Sequence, residues 1–447
     1  MIAIGICCVA FLACFIAGRR SLGLGLLTLF VFGFFYGIVR ANLLTAFSHF
    51  IFDAGLIGLY CSQNWLSSNA SERRRLAVIR GWMVVLIGWP ILITFLPFQP
   101  LLVSLVGLRG NVFFIPLLLL GSRLRTKDLL LLSYGLAVLN LIAMAFGGAE
   151  YLLGVPRFYP ESPVTAIIYA SNDVAGGFLR IPGIFANAHS YGGAMNCTIP
   201  FLLGTWGQPQ KKGLRLLAAM GIGAAFIGIL FSATRSNFVI GVAIICLTLF
   251  TTRLKASTWI ALIVLLGMAG WLAATNARFQ RFKSLSDTDY VSERIAGSMN
   301  RGFFEILLEY PMGNGMGGGG TSIPYFLHGQ VRNPIGLENE YARILCEQGI
   351  IGLLLWICFV GWFIFRAPVA FAKGRWVNGR RGAWCYAAIS MLTALSGIGL
   401  LTAIPQSALM LLGVGWVTTP MAPEPDSAEA ARAVRMAAER RRLAYTA

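Results

Sequence analysis

The chain has 447 residues, 57% of them hydrophobic and 12% charged, with a formal net charge of +18. A soluble domain carries about 25% charged residues, and the apolar runs here reach roughly 20 residues, enough to cross a bilayer core. The composition therefore argues against a soluble fold, and the placement of the basic residues argues against a nucleic-acid binder, since no basic face interleaved with aromatics exists.

In chain order, candidate spans fall near 2–18, 21–39, 43–61, 76–96, 101–121, 129–147, 190–207, 214–232, 237–252, 257–275, 340–363, 383–401 and 404–418. The first reads as a span rather than a cleaved signal, because no basic segment precedes it. The third contains His49 and Asp53 at i, i+4, read as a buried structural pair or a substrate-channel contact. The fifth holds Arg109-Gly110-Asn111 and Pro116, which predicts a broken or re-entrant segment. The expected fold is an all-α polytopic bundle of about 12–13 spans. It comprises ten spans over 1–275 with an outer loop near 148–189, a large partly helical periplasmic loop over 276–339, C-terminal spans over 340–418 and a basic cytoplasmic tail over 419–447.

Orientation follows from charge. Arg19-Arg20, Arg73-Arg74-Arg75, Arg123/Arg125/Lys127, Lys211-Lys212, Arg253/Lys255, Arg366 to Arg381 and Arg440-Arg441-Arg442 cluster between runs, as cytoplasmic loops do. Both long loops then fall outside. The second balances six basic against six acidic residues, and 292–310 carries apolar residues at helical spacing, predicting an amphipathic helix on the outer face. The nine cysteines are odd in number, lack a CxxC and lie mostly within apolar runs, so they read as small hydrophobes.

Charges in or beside apolar runs are costly and usually face a cavity or a partner. Arg235, in "FSATRSNFVIG", stands among Ser232, Thr234, Ser236 and Asn237 and is a candidate phosphate receptor, because a guanidinium fork matches two oxygens; a snorkelling loop arginine is the plain alternative. Arg180 precedes Asn187, His189 and Ser190 in "FLRIPGIFANAHSYGG"; His189 is a candidate acid or base, against a capped helix start with a hydrogen-bonded histidine. His328 lies in the outer loop without assignment. "GNGMGGGG", Gly313 to Gly320, lacks the strand and the Lys-Ser/Thr of a phosphate loop and reads as a flexible loop able to close over a substrate. In "GLENEYARILCEQGIIG", Asn339 suits a helix cap, Glu340 the helix dipole, and Arg343 with Glu347 an i, i+4 pair. Glu338 lacks such an account; a carboxylate at the water–membrane boundary is a candidate general base. No pair of histidines or cysteines has metal-ligand spacing, and no metal or cofactor is expected.

Three stretches resemble the O-antigen ligase and O-antigen polymerase superfamily of bacterial envelopes. "RIPGIFANAHSYGG" is similar to its Arg-x-x-Gly-x-Phe-x-Asn segment and "ATRSN" to its Ser-Arg-Ser motif. "SERIAGSMNRGFFEILLEYPMGNGMG", followed by "ENEYARILCEQGIIGLLLW", resembles its periplasmic loop and next span, so the likeness covers roughly 180–363. The resemblance implies a metal-independent, inverting-type glycosyltransferase of the bacterial inner membrane. It would transfer a glycan from undecaprenyl diphosphate to an acceptor glycan or lipid, among membrane lipids and other envelope-polysaccharide assembly proteins. It places the diphosphate on Arg235 and Arg294, with Arg180 as a third, and acceptor contacts on Asn339, Tyr341 and His189. Where the family has a loop histidine this chain has Glu338. The competing expectation is a transporter, flippase or scaffold for lipid-linked glycans, although the two related halves usual for transport are absent.

Overall fold

The computed structural model describes residues 1–65, 70–170, 178–250, 267, 275, 282, 303–320, 323–337, 339–395, 397 and 399–421. Among the described residues there is no strand, and the chain is an all-α polytopic membrane bundle. Most of the expected span at 257–275, residues 292–302 of the amphipathic segment and the tail beyond 421 lie outside the described residues.

The helices in order are α1 (Ile2–Arg20), α2 (Leu22–Asn42), α3 (Ile51–Ser62), α4 (Ala70–Thr94), α5 (Leu101–Val112), α6 (Leu117–Ser122), α7 (Thr126–Leu153) and α8 (Ala166–Tyr169). There follow α9 (Ala188–Trp206), α10 (Lys212–Phe231), α11 (Arg235–Phe250), α12 (Phe303–Glu309), α13 (Glu340–Phe365), α14 (Ala367–Ala370), α15 (Val377–Thr393) and α16 (Gln406–Thr418). Seven segments are long and apolar enough to span: α1, α2, α4, α5 with α6, α7, α10 and α13. The expected spans at α3, α11 and α16 are shorter apolar helices.

Local chemistry starts several helices. Ser21 accepts from the Leu24 amide and Asn187 from the Ser190 amide; Asn339 accepts from those of Tyr341 and Ala342, so donors that a helix leaves unpaired are met. Pro116 coincides with the break between α5 and α6, and Tyr60 closes part of the gap by donating to the Phe113 carbonyl at 2.6 Å. The segment is broken, as its sequence predicts, and Leu101–Ser122 taken together is long and apolar enough to span.

Side chains of α1 and α4 such as Val9, Leu12, Ile16, Val84 and Leu92 are exposed, the arrangement expected of lipid-facing surfaces. By contrast α16 is buried on every side. It approaches α6 closely because both helices lack a side chain at the contact: a Cβ on Gly121 would lie 2.0 Å from the Leu412 carbonyl oxygen, and one on Gly415 2.0 Å from that of Leu118.

Successive long helices alternate in direction, so chain ends collect at two poles. At one pole Arg123 donates to the Asn64 carbonyl, Arg75 to that of Pro420 and Arg366 to that of Thr418. That pole holds the described basic clusters. At the other, Asn42 donates to the Phe158 carbonyl, the Ile38 amide to that of Ile184, and Gln99 to that of Arg332. The described parts of the two long loops gather there.

The glycine-rich segment departs from its expected role. Gly313 to Gly319 are buried between α5 and α13. A Cβ on Gly107 would come 2.2 Å from the Gly317 nitrogen. Inside α13, Gly349 has φ 70° and ψ −173° and breaks the helix. The segment docks on that break: the Ile350 amide donates to the Pro311 carbonyl at 3.0 Å and the Asn314 amide to that of Cys346 at 2.6 Å. Close backbone approach, rather than a mobile cover, explains these glycines.

Candidate functional site

The pole opposite the basic clusters contains a cavity of about 800 Å³. Its floor comes from Tyr36 and Arg40 at the end of α2, His49 in the 3-10 turn Ala46–Phe50, Asp53 on α3 and Arg109 on α5. One wall is the segment carrying Arg180, Asn187, His189 and Ser190; another is the turn Tyr325–Gln330 with His328. Apolar surface is supplied by Phe114, Val164, Ile167, Ile323, Ile335 and Ile404. The chain has three histidines, and all three line this cavity. Its described lining also brings three arginines together with one carboxylate. A positive, partly apolar hollow of this size suits an anionic amphiphile.

The Arg180–His189 segment is positioned by groups far away in sequence. Glu150, buried on α7, accepts from the Gly183 amide at 2.8 Å, and the Tyr159 hydroxyl lies 2.8 Å from the carbonyls of both Gly183 and Phe185. Burial holds the Tyr159 phenol well above its usual pKa, so it remains a donor. Beneath the segment runs Gly37 of α2, where a Cβ would lie 1.9 Å from the Phe185 carbonyl carbon. The Asn187 cap then starts α9 and sets His189 in its first turn.

Arg235 opens α11 and is partly buried, but it is not among the residues lining the cavity. Two of the hydroxyls beside it that were expected as phosphate donors, Ser232 and Thr234, are committed internally. Ser232 gives its proton to the Ile229 carbonyl at 2.7 Å, so Thr234, 2.7 Å from Ser232, must donate to it. Asn237 donates to Thr234 Oγ1 and to the His189 carbonyl. This turn buttresses His189 from behind.

Two further expected contacts are structural. The Asn339 side-chain oxygen is used as the α13 cap, and the Tyr341 hydroxyl donates to the Met391 carbonyl at 2.8 Å; neither lines the cavity. Glu338 and Arg294 lie outside the described residues, whereas Gly336, two positions before Glu338, lines the cavity.

The charged face of α13 is a closed network. Arg343 is wholly buried, 2.7 Å from Glu340 and 2.5 Å from Glu347. Asn111 joins it, donating to Glu347 at 2.6 Å and accepting from Arg343 and Gln348. The other oxygen of Glu340 accepts from the Gly399 amide, and Gly399 lines the cavity. The i, i+4 pair expected from sequence is present, but Glu340 acts as a second ion-pair partner as well as an N-terminal acid.

Of the floor, the sequence offered His49 and Asp53 as a buried pair or a channel contact, and gave Arg40 and Arg109 no site role. Asp53 pairs with Arg109 at 2.6 Å, not with His49. Arg40 had a signal that was available: it ends a run at the pole opposite the basic clusters, against the usual charge bias. Among the described residues, no three His, Cys, Asp or Glu side chains come together as a metal site needs.

Comparison with protein-family models and with curated proteins returned no match.

Proposed function

We propose that the protein is an envelope-polysaccharide polymerase or ligase. It would transfer a glycan from undecaprenyl diphosphate to an acceptor hydroxyl at the outer face of the bacterial cytoplasmic membrane. The observation that carries this reading is the cavity of about 800 Å³ that gathers Arg40, Arg109, Arg180 and His189 opposite the basic pole. The positive-inside bias supports a cytoplasmic basic pole and, with it, a cavity at the outer leaflet.

In the proposed reaction an acceptor oxygen attacks the anomeric carbon, and the bond from that carbon to the diphosphate breaks. Negative charge grows on the leaving diphosphate. Arg180, at the cavity wall, is disposed to stabilise it, because fixed donors act strongly where water is excluded. Arg235 supports this wall indirectly through the turn that holds His189, and Arg294 remains a proposed second diphosphate contact. Glu338 remains the proposed acceptor of the hydroxyl proton, and His189 is the nearest alternative on the described wall. The polyprenyl tail would lie along the apolar surface of the bundle.

The test is deletion of the gene with analysis of surface-glycan chain length and of lipid-linked intermediates. Complementation with Arg180→Ala, His189→Ala and Glu338→Ala should leave lipid-linked units accumulated on the outer leaflet. Unchanged glycan in the deletion strain would refute the reading. Accumulation confined to the cytoplasmic leaflet would instead identify transport.

A further inference from the structure

The floor of the cavity carries polar groups that the protein itself does not satisfy. His49 is 6% exposed and Asp53 4% exposed, yet His49 Nε2 and Asp53 Oδ1 have no hydrogen-bond partner. The Asp53 Oδ2 atom takes both contacts from Arg109, which leaves Oδ1 available. Arg40, 5.3 Å from the Tyr36 ring centroid, likewise leaves its Nε without a partner. Buried polar atoms are rarely left unmet, and several lining one cavity mark a place for a ligand. Beside them stands the half-open ring of Tyr325, which also lines the cavity. Tyr325 and Phe326 lie 5.8 and 5.6 Å from the His49 ring and 5.6 Å from each other, edge to face.

The geometry points to a sugar-binding subsite on this floor, built by Arg40, His49, Asp53 and Arg109 with Tyr325. The floor offers an acceptor in Asp53 and a donor in Arg40. A sugar hydroxyl is both donor and acceptor, so it satisfies both; an ionised phosphate only accepts and leaves Asp53 Oδ1 unmet. The face of the Tyr325 ring supplies a flat apolar surface for the C–H face of a pyranose. The inference rests on the glycan-transfer reading and deepens it: diphosphate sits toward Arg180 and sugar toward Asp53.

The test uses the full-length chain in lipid nanodiscs and saturation-transfer NMR. The probes are free glucose, galactose, mannose, rhamnose, N-acetylglucosamine and N-acetylgalactosamine, with inorganic pyrophosphate as competitor. At least one sugar should receive saturation and should keep it when pyrophosphate is added. Asp53→Asn, which turns a charge-assisted hydrogen bond into a neutral one, should weaken that sugar about tenfold. Tyr325→Ala, which leaves the ion pair untouched, should do the same and covers the case in which Asp53→Asn does not fold. Transfer to no sugar, wild-type binding in Tyr325→Ala, or displacement of the sugar by pyrophosphate overturns the subsite. Glycan transfer that survives in Asp53→Asn and Tyr325→Ala without sugar binding also overturns it while leaving the transferase. Sugar binding lost in both variants supports it even if the deletion strain makes normal glycan.

Discussion

Arg343 and Glu347 stand one turn apart on α13 at 2.5 Å, and neither side chain touches solvent. With Glu340, Asn111 and Gln348 they form a network in which the arginine is surrounded by acceptors. Removing the arginine alone leaves two buried carboxylates facing each other. Arg343→Met should therefore cost on the order of 3–5 kcal/mol. Glu340→Gln/Arg343→Met/Glu347→Gln should recover part of that loss, because no charge remains to be solvated. Fluorescence-detected size-exclusion melting in detergent checks both; a single variant melting with the wild type would discount the network's role.

The break in α13 makes a second prediction. A Cβ on Gly349 would come 2.7 Å from the Met312 carbonyl carbon, and φ is positive there. Gly349→Ala should lower the yield of folded protein and cost about 1 kcal/mol or more from backbone strain alone. Gly361 sits later in the same helix, where a Cβ would meet nothing within 4 Å, so Gly361→Ala should be neutral or slightly stabilising. Equal melting temperatures for the two variants would contradict the docking of the glycine segment on this break.

The Arg180–His189 segment depends on Tyr159, whose hydroxyl lies 2.8 Å from two carbonyls. Tyr159→Phe should cost about 1–3 kcal/mol by leaving them unmet. On the proposed function, glycan transfer should fall with it, as the wall carrying Arg180 loosens. Glu150→Gln retains an acceptor for the Gly183 amide and should keep more activity than Glu150→Ala. The ratio of the two residual activities in complemented cells is the measurement, and a ratio near one would argue against this support.

Tyr341 separates resemblance from geometry. Its hydroxyl is engaged by the Met391 carbonyl at 2.8 Å, away from the cavity. Tyr341→Phe should lower stability by about 1 kcal/mol and leave the glycan chain-length distribution unchanged. A changed distribution at normal protein level would restore Tyr341 to the acceptor site.

The parts legible in the sequence were those fixed by neighbours along the chain. Apolar runs marked the membrane helices, Asn187 and Asn339 marked helix starts, and Arg343 with Glu347 followed from helical spacing. The local reading reached its limit at Asp53. A partner four residues away was the natural candidate, yet packing of α3 against α5 gives it Arg109, 56 positions on. Ser232 and Thr234 make the same point, since a hydroxyl's commitments depend on which backbone it folds against.

Sequence by itself determined an all-α membrane protein and the clustering of its basic residues between apolar runs. These follow from hydrophobic length and from short-range geometry, which each segment carries alone. Only the tertiary structure decided that His49, His189 and His328 share one cavity, that Asn111 closes the ion network of α13, and that the glycine segment is buried. Each of these rests on contacts between segments far apart in the chain, where packing rather than spacing selects the partner.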